Sequence, residues 1–148
     1  MKIELTLVEM RTASTVGITM HLEDLHNDKK SNTGETQKNA WQRKIEGSLA
    51  ECAFAKFKNI YWNKGVFPNP DVGEFEVRST PYENGYLRIK PNDPDDRKFY
   101  LLTGINGKYT IRGWMYAKDA KQGKYWKSIK TGRPPQYFVP QSDINHDL

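Results

Sequence analysis

A chain of 148 residues is near the common size of one domain and can bury a core without covalent or metal staples. Four Trp, eight Tyr and six Phe give large burial per residue, which excludes a disordered or low-complexity chain. The 23 basic and 18 acidic residues leave a net charge of +5, too mild to define a partner. The single Cys52 excludes an internal disulfide and a thiolate zinc cluster.

Residues 3–8 alternate, with Ile3, Leu5 and Leu7 against Glu4 and Thr6, and start as a short strand. From about Leu7 to His26 the apolar positions Met10, Ala13, Ile18, Leu22 and Leu25 suit a helix. Residues 27–37 are polar and glycine-containing and read as a loop. The clearest helix spans residues 40–60, where Ile45, Leu49, Ala53, Phe57 and Ile60 recur at three- and four-residue steps. Small residues Gly47, Ser48, Ala50 and Ala55 suit it to close packing on a sheet.

After Pro68 and Pro70 the period becomes two. Phe75 and Val77 face one way, and Glu74, Glu76, Arg78 and Thr80 the other. A turn at Glu83-Asn84-Gly85 returns the chain as a second strand over residues 86–89. Residues 99–103 form an apolar strand, Asn106-Gly107 signals a hairpin, and residues 109–116 pair back. Residues 117–121 suit a helical turn, and the Gly- and Pro-rich remainder is an extended tail pinned by Tyr137, Phe138 and Val139. Helices followed by strands in a mostly antiparallel or mixed sheet make an α+β fold, expected as one domain over residues 1–148.

The chemistry concentrates in Pro70-Asp71-Val72-Gly73-Glu74-Phe75-Glu76-Val77-Arg78. Asp71 enters the strand at a turn, and Glu76 and Arg78, two apart, share a face that the pattern makes exposed. Two carboxylates and one cation are the parts that phosphodiester cleavage needs. Hard oxygen ligands hold Mg²⁺ with positions open to water and phosphate, and a fixed cation meets the developing charge. The structural alternatives are a turn aspartate at Asp71 and a cross-strand ion pair from Glu76 or Arg78 to Arg88 or Glu83.

Pro70-Asp71 followed by Glu76-x-Arg78 resembles the PD-(D/E)xK nuclease superfamily over roughly residues 40–116. The run through Asp71-Val72-Gly73, Glu76-Val77-Arg78-Ser79-Thr80 and Asp93-Pro94-Asp95-Asp96 also looks like small proteins of phage and bacterial genomes. The resemblance implies a restriction-endonuclease-like core, with residues 1–39 preceding it and residues 117–148 a basic, Pro-containing extension. It further implies a Mg²⁺- or Mn²⁺-dependent nuclease cleaving nucleic acid, with DNA the expected substrate. Asp71 and Glu76 would hold the metal, and Glu51 on the preceding helix would be a third ligand. Glu46 competes with Glu51 for that place, and Glu74 replaces Glu76 if the register slips. The family's usual Lys is Arg78 here. Arginine does not deprotonate and so cannot be a general base, but it can grip phosphate and stabilise the transition state.

A second group of residues points toward the same substrate. Lys118, Lys121, Lys124, Lys127, Lys130 and Arg133 recur through a segment that also carries Tyr125 and Trp126, so cations alternate with rings able to stack bases. A solvated lysine-rich loop is the plainer account. His21, His26 and His146 lack zinc-site spacing and read as surface residues. No apolar signal core or membrane-length stretch is evident, so the expected location is the cytoplasm, the host's if the chain is phage-encoded. Two further functions fit the same residues. One is a non-catalytic nucleic-acid-binding module, which Arg78 favours, and the other is a phage-encoded factor that grips a protein.

Overall fold

The computed structural model describes residues 1–29, 37–64, 69–129 and 133–148. The chain order is β1 (Lys2–Glu4), α1 (Leu7–His26), α2 (Gln37–Lys58), β2 (Glu76–Thr80), β3 (Leu87–Ile89), β4 (Lys98–Ile105), β5 (Lys108–Tyr116), α3 (Ala117–Ala120), β6 (Trp126–Lys127) and β7 (Gln136–Val139). The fold is α+β, as the order of periods predicts.

Helix α1 starts at a capping box. The Thr6 hydroxyl accepts the Glu9 N–H, and the Glu9 carboxylate accepts the Thr6 N–H, so two orphan donors are satisfied reciprocally. Its buried line is Ala13, Gly17 and His21, four residues apart on the face turned to α2. The expected face through Ile18, Leu22 and Leu25 is instead exposed, at 38%, 51% and 44%. The helices cross so closely that only a small residue fits. A Cβ on Gly17 would lie 2.7 Å from the Lys44 carbonyl oxygen and 2.8 Å from the Ile45 Cα. His21 is buried against Trp41, ring centroids 4.3 Å apart, which corrects its reading as a surface histidine.

Helix α2 buries Ser48, Leu49, Ala50, Glu51, Ala53, Phe54 and Ala55. It ends at Asn59, whose φ of 54° places it in the left-handed conformation that closes helices, and the Ile60 N–H returns to the Ala55 carbonyl.

The main sheet runs β1-β5-β4-β2 and a smaller one runs β3-β7-β6. Alternate residues of β4 serve opposite cores. Tyr100 and Leu102 join α2, Val77 and Ile111, while Phe99 and Leu101 join Leu87, Ile89, Val139 and Tyr125. The continuous apolar run of β4 is therefore a strand buried on both faces, between a helical layer and a second sheet. Full burial of Phe54, Phe99, Leu101 and Leu102 contributes roughly 1.5–3 kcal/mol each.

One pairing differs from expectation. Residues 86–89 do not return beside β2; β3 pairs antiparallel with β7, and β2 pairs in parallel with β4. A parallel neighbour needs a crossover, which residues 81–97 supply. That crossover lays β3 and β7 over the face that carries Glu76 and Arg78. Glu76 is consequently buried and Arg78 half-buried, where alternation alone suggests a solvated face.

Candidate functional site

Among the described residues, strand β2 forms one outer edge of the main sheet, and the carboxylates gather along that edge. Val72 and Phe75 bridge each other through both main-chain bonds, and Gly73 turns between them at φ 58°, a conformation glycine adopts without strain. This tight turn brings Asp71 back beside the strand. Its Oδ2 accepts the Val77 N–H at 2.9 Å, a donor that β4 leaves unused.

Glu76 and Arg78 stand in register with Phe99 and Leu101 and so face the second sheet. Glu51 rises from α2 on the opposite face. Asp71, at the edge, interacts with both. Burial followed by the charge of Asp71 lifts the Glu51 carboxyl to about 7, against the lowering by Lys64 and Trp62. Burial, the charge of Asp71 and a hydrogen bond with it lift Glu76 to about 7, against Arg97 and Arg78. A carboxyl rises when burial disfavours its charged form and a like charge stands nearby.

Each glutamate has its own cation. Lys64 Nζ donates to both Glu51 oxygens at 2.9 and 2.8 Å, and the Trp62 indole donates at 3.2 Å. Arg97 donates to Glu76 Oε1. Sequence spacing did not single out Lys64 or Arg97, because both lie on irregular segments whose reach is set by tertiary structure.

Arg78 is turned elsewhere. Its Nη2 lies 3.0 Å from both Asp93 oxygens, and its guanidinium stacks 4.8 Å from the Phe99 ring. Asp93 also accepts the Lys90 N–H, so the pair fastens the crossover loop to β2. The cation on Glu76 is thus Arg97, and the partner of Arg78 is neither Glu83 nor another strand-face residue.

Glu46 is remote from this edge, accepting the Asn106 N–H and the Tyr109 hydroxyl at the β4–β5 turn. Glu74 is exposed. It lines a cleft of about 410 Å³ together with Pro70, Phe75, Asp96, Arg97, Lys98 and Tyr116. This cleft adjoins the carboxylates through Pro70 and Arg97. A larger hollow of about 550 Å³ lies around the Lys2, Lys108 and Arg112 region and shares no residue with them.

Among the described residues, no group of three or more His, Cys, Asp or Glu is gathered tightly enough to hold a metal ion. The donors straddle the edge of the sheet instead of forming a closed cage. Asp71 lies close enough to Glu76 for its charge to raise that carboxyl. Mg²⁺ commonly takes one or two carboxylates and keeps its remaining waters.

The basic segment does not present one face. Lys118 lies over Tyr116, Lys124 over Tyr125 and Lys127 over Tyr86, whereas Lys121 is bound to Asp95 and to the Asp93 carbonyl. Trp126 is partly exposed and packs on Tyr137 at 4.8 Å. Arg133 is half-buried, and Lys130 lies outside the described residues. No helix among the described residues is long and apolar enough to cross a membrane. Comparison with known protein families, with curated proteins and with solved structures finds no match for this chain.

Proposed function

We propose that this protein is a metal-dependent phosphodiester hydrolase acting on nucleic acid, with DNA as substrate and the outer edge of β2 as its site. The observation that carries the reading is the effect of Asp71 on both Glu51 and Glu76. Asp71 repels two buried carboxylates, Glu51 and Glu76, beside a cleft, an arrangement that costs stability and is relieved by a bound cation. In this reading Asp71 and Glu76 hold Mg²⁺ or Mn²⁺, and Glu51 joins them when Lys64 yields. Bound metal supplies Lewis-acid charge at the scissile phosphate. Arg97, which lines the cleft and contacts Glu76, is placed to bind a phosphate oxygen. Arg78 holds the crossover loop in place through Asp93.

A second reading, a nucleic-acid-binding module without turnover, is favoured by one specific feature. Lys64 and Arg97 already answer Glu51 and Glu76, so each glutamate's charge is balanced without metal.

The test is incubation of purified protein with plasmid and with single-stranded DNA, in Mn²⁺ and in EDTA, beside Asp71→Asn and Glu76→Gln. Cleavage that needs Mn²⁺ and disappears in both variants supports the hydrolase. Binding with no metal-dependent cleavage supports the module.

A further inference from the structure

We infer that three lysines, held in order on a ladder of aromatic rings, form a phosphate-binding track for a nucleic-acid strand passing the carboxylate edge. The ladder lies on the α2 side of the main sheet. Phe75 meets Tyr100 at 5.5 Å, Tyr100 meets Trp114 at 6.4 Å, and Trp114 meets Tyr116 at 5.5 Å. Lys58, the last residue of α2, places its ammonium 5.4 Å from Phe75 and 5.0 Å from Tyr100. Lys98 stands 4.1 Å from Trp114 and 5.6 Å from Tyr116, and Lys118 5.3 Å from Tyr116.

The choice of partner decides what these lysines can do. A carboxylate within reach neutralises an ammonium as it fixes it, as Asp95 does for Lys121. A ring face fixes the ammonium through its quadrupole and leaves the full positive charge available. Among the described residues, Lys58, Lys98 and Lys118 form no ion pair with a carboxylate. Ring contact also lowers the entropy lost when each long side chain is ordered on a ligand. Ordered, unneutralised cations in a row match the repeating charge of a phosphodiester backbone.

The track leads to the candidate site. Phe75, Lys98 and Tyr116 line the cleft that Arg97 and Pro70 also line, and Arg97 contacts Glu76. Glu74 and Asp96 line the same cleft and hold a polyanion off one part of it, so the lysine row is the favourable approach. Of the basic segment's cations among the described residues, only Lys118 belongs to this row.

The proposal names the substrate contacts of the hydrolase read above and rests on that reading for the strand's destination. Its test is independent of cleavage. Binding of fluorescein-labelled single-stranded and duplex oligonucleotides is measured in EDTA across a salt series. With Lys58, Lys98 and Lys118 all replaced by Gln, the log–log salt slope for the single strand should fall by about 2, at ~0.7 per lost phosphate contact. Affinity at low salt should fall at least about tenfold. Lys2→Gln with Lys108→Gln, at the other end of the same sheet, should leave slope and affinity near the parent's. Tyr116→Leu keeps every charge but removes the ring under Lys118 and the farther of the two rings beside Lys98, and should weaken binding several-fold with the slope retained. The track is overturned if the triple variant binds as the parent does. It is also overturned if the distal pair loses as much per charge, or if Tyr116→Leu binds unchanged. Binding that follows the track without Mn²⁺-dependent cleavage removes the hydrolase alone; cleavage with unaltered binding in the triple variant removes the track alone.

Discussion

Asp71 Oδ2 accepts the main-chain N–H of Val77 at 2.9 Å, so the carboxylate between Glu51 and Glu76 is fixed by the backbone of the strand it borders. The bond satisfies a donor on the outer edge of β2 and sets the position of the charge without any ligand. Asp71→Asn retains an oxygen that can accept the same N–H and removes the charge. The variant should fold, and both glutamates should ionise at lower pH than in the parent. Carboxyl-carbon NMR titration of Glu51 and Glu76 checks this; unmoved titrations would mean that burial alone raises them. Asp71→Ala removes the acceptor and should also cost stability, about 1–3 kcal/mol for an unpaired amide.

The same elevation gives stability a definite dependence on pH. Glu51 and Glu76 take up protons near pH 7 in the folded chain and near 4.5 when unfolded. Between those values the native state binds more protons, so unfolding free energy falls as pH rises. The metal-free protein should therefore gain thermal stability when pH is lowered from about 8 to about 5.5, by a few degrees. Glu51→Gln should flatten that trend. Stabilisation by Mn²⁺ should run the other way and grow toward pH 8, because metal competes with those protons. Thermal melts at four pH values, with and without Mn²⁺, decide it.

Lys64 provides a sharper version of this test. It donates to both oxygens of a buried Glu51, and its worth depends on that carboxylate being charged. Lys64→Met should destabilise by about 1–3 kcal/mol near pH 8 and by much less near pH 5.5, where Glu51 is neutral. Denaturant unfolding at the two pH values measures the difference. An equal loss at both would assign Lys64 a packing role only.

The sequence pattern revealed the helices, the strands through β5 and the turn at Asp71 because each depends on local period or turn chemistry. Partners were less legible. Period two told which side of β2 holds Val77, yet it could not tell that β3 would leave for β7 and cover Glu76 and Arg78. The two core faces of β4 hid in one apolar run for the same reason. On α1, the expected Ala13 is buried, but Ile18 and Leu22 are exposed and the buried line continues through Gly17 and His21, chosen by closeness to α2. Lys64 and Arg97 carry no spacing signal, since loops bring them to the glutamates.

Arg78 and Asp93 should behave as a structural pair. Nη2 is shared between both Asp93 oxygens, and the guanidinium rests on Phe99. A double-mutant cycle with Arg78→Met and Asp93→Asn should give a coupling of roughly 0.5–3 kcal/mol in unfolding free energy. Arg78→Lys should retain Mn²⁺-dependent cleavage, measured at a temperature where the variant is fully folded. Abolished cleavage in a folded Arg78→Lys protein would restore Arg78 to the chemistry in place of Arg97.

Gly17 sets the distance between α1 and α2. A methyl there would approach three backbone positions, the Lys44 carbonyl oxygen at 2.7 Å, the Ile45 Cα at 2.8 Å and the Ile45 nitrogen at 3.0 Å. None of these is the movable end of a side chain, so the helices must separate. In an exposed helix interior the same Gly→Ala change would stabilise by up to about 1 kcal/mol. The sign should reverse here, with a loss of about 1–3 kcal/mol from overpacking. Because α2 carries Glu51, a shift of the helix should also move that carboxyl relative to Asp71, and the Glu51 titration should change with stability. Gly47, also on α2, has no atom within 4 Å of an added Cβ, and Gly47→Ala should stabilise slightly while leaving Glu51 where it is. Urea unfolding of the two variants side by side makes the comparison. A stabilising Gly17→Ala would show that α1 packs more loosely on α2 than these distances require, and that Glu51 owes its place to the sheet alone.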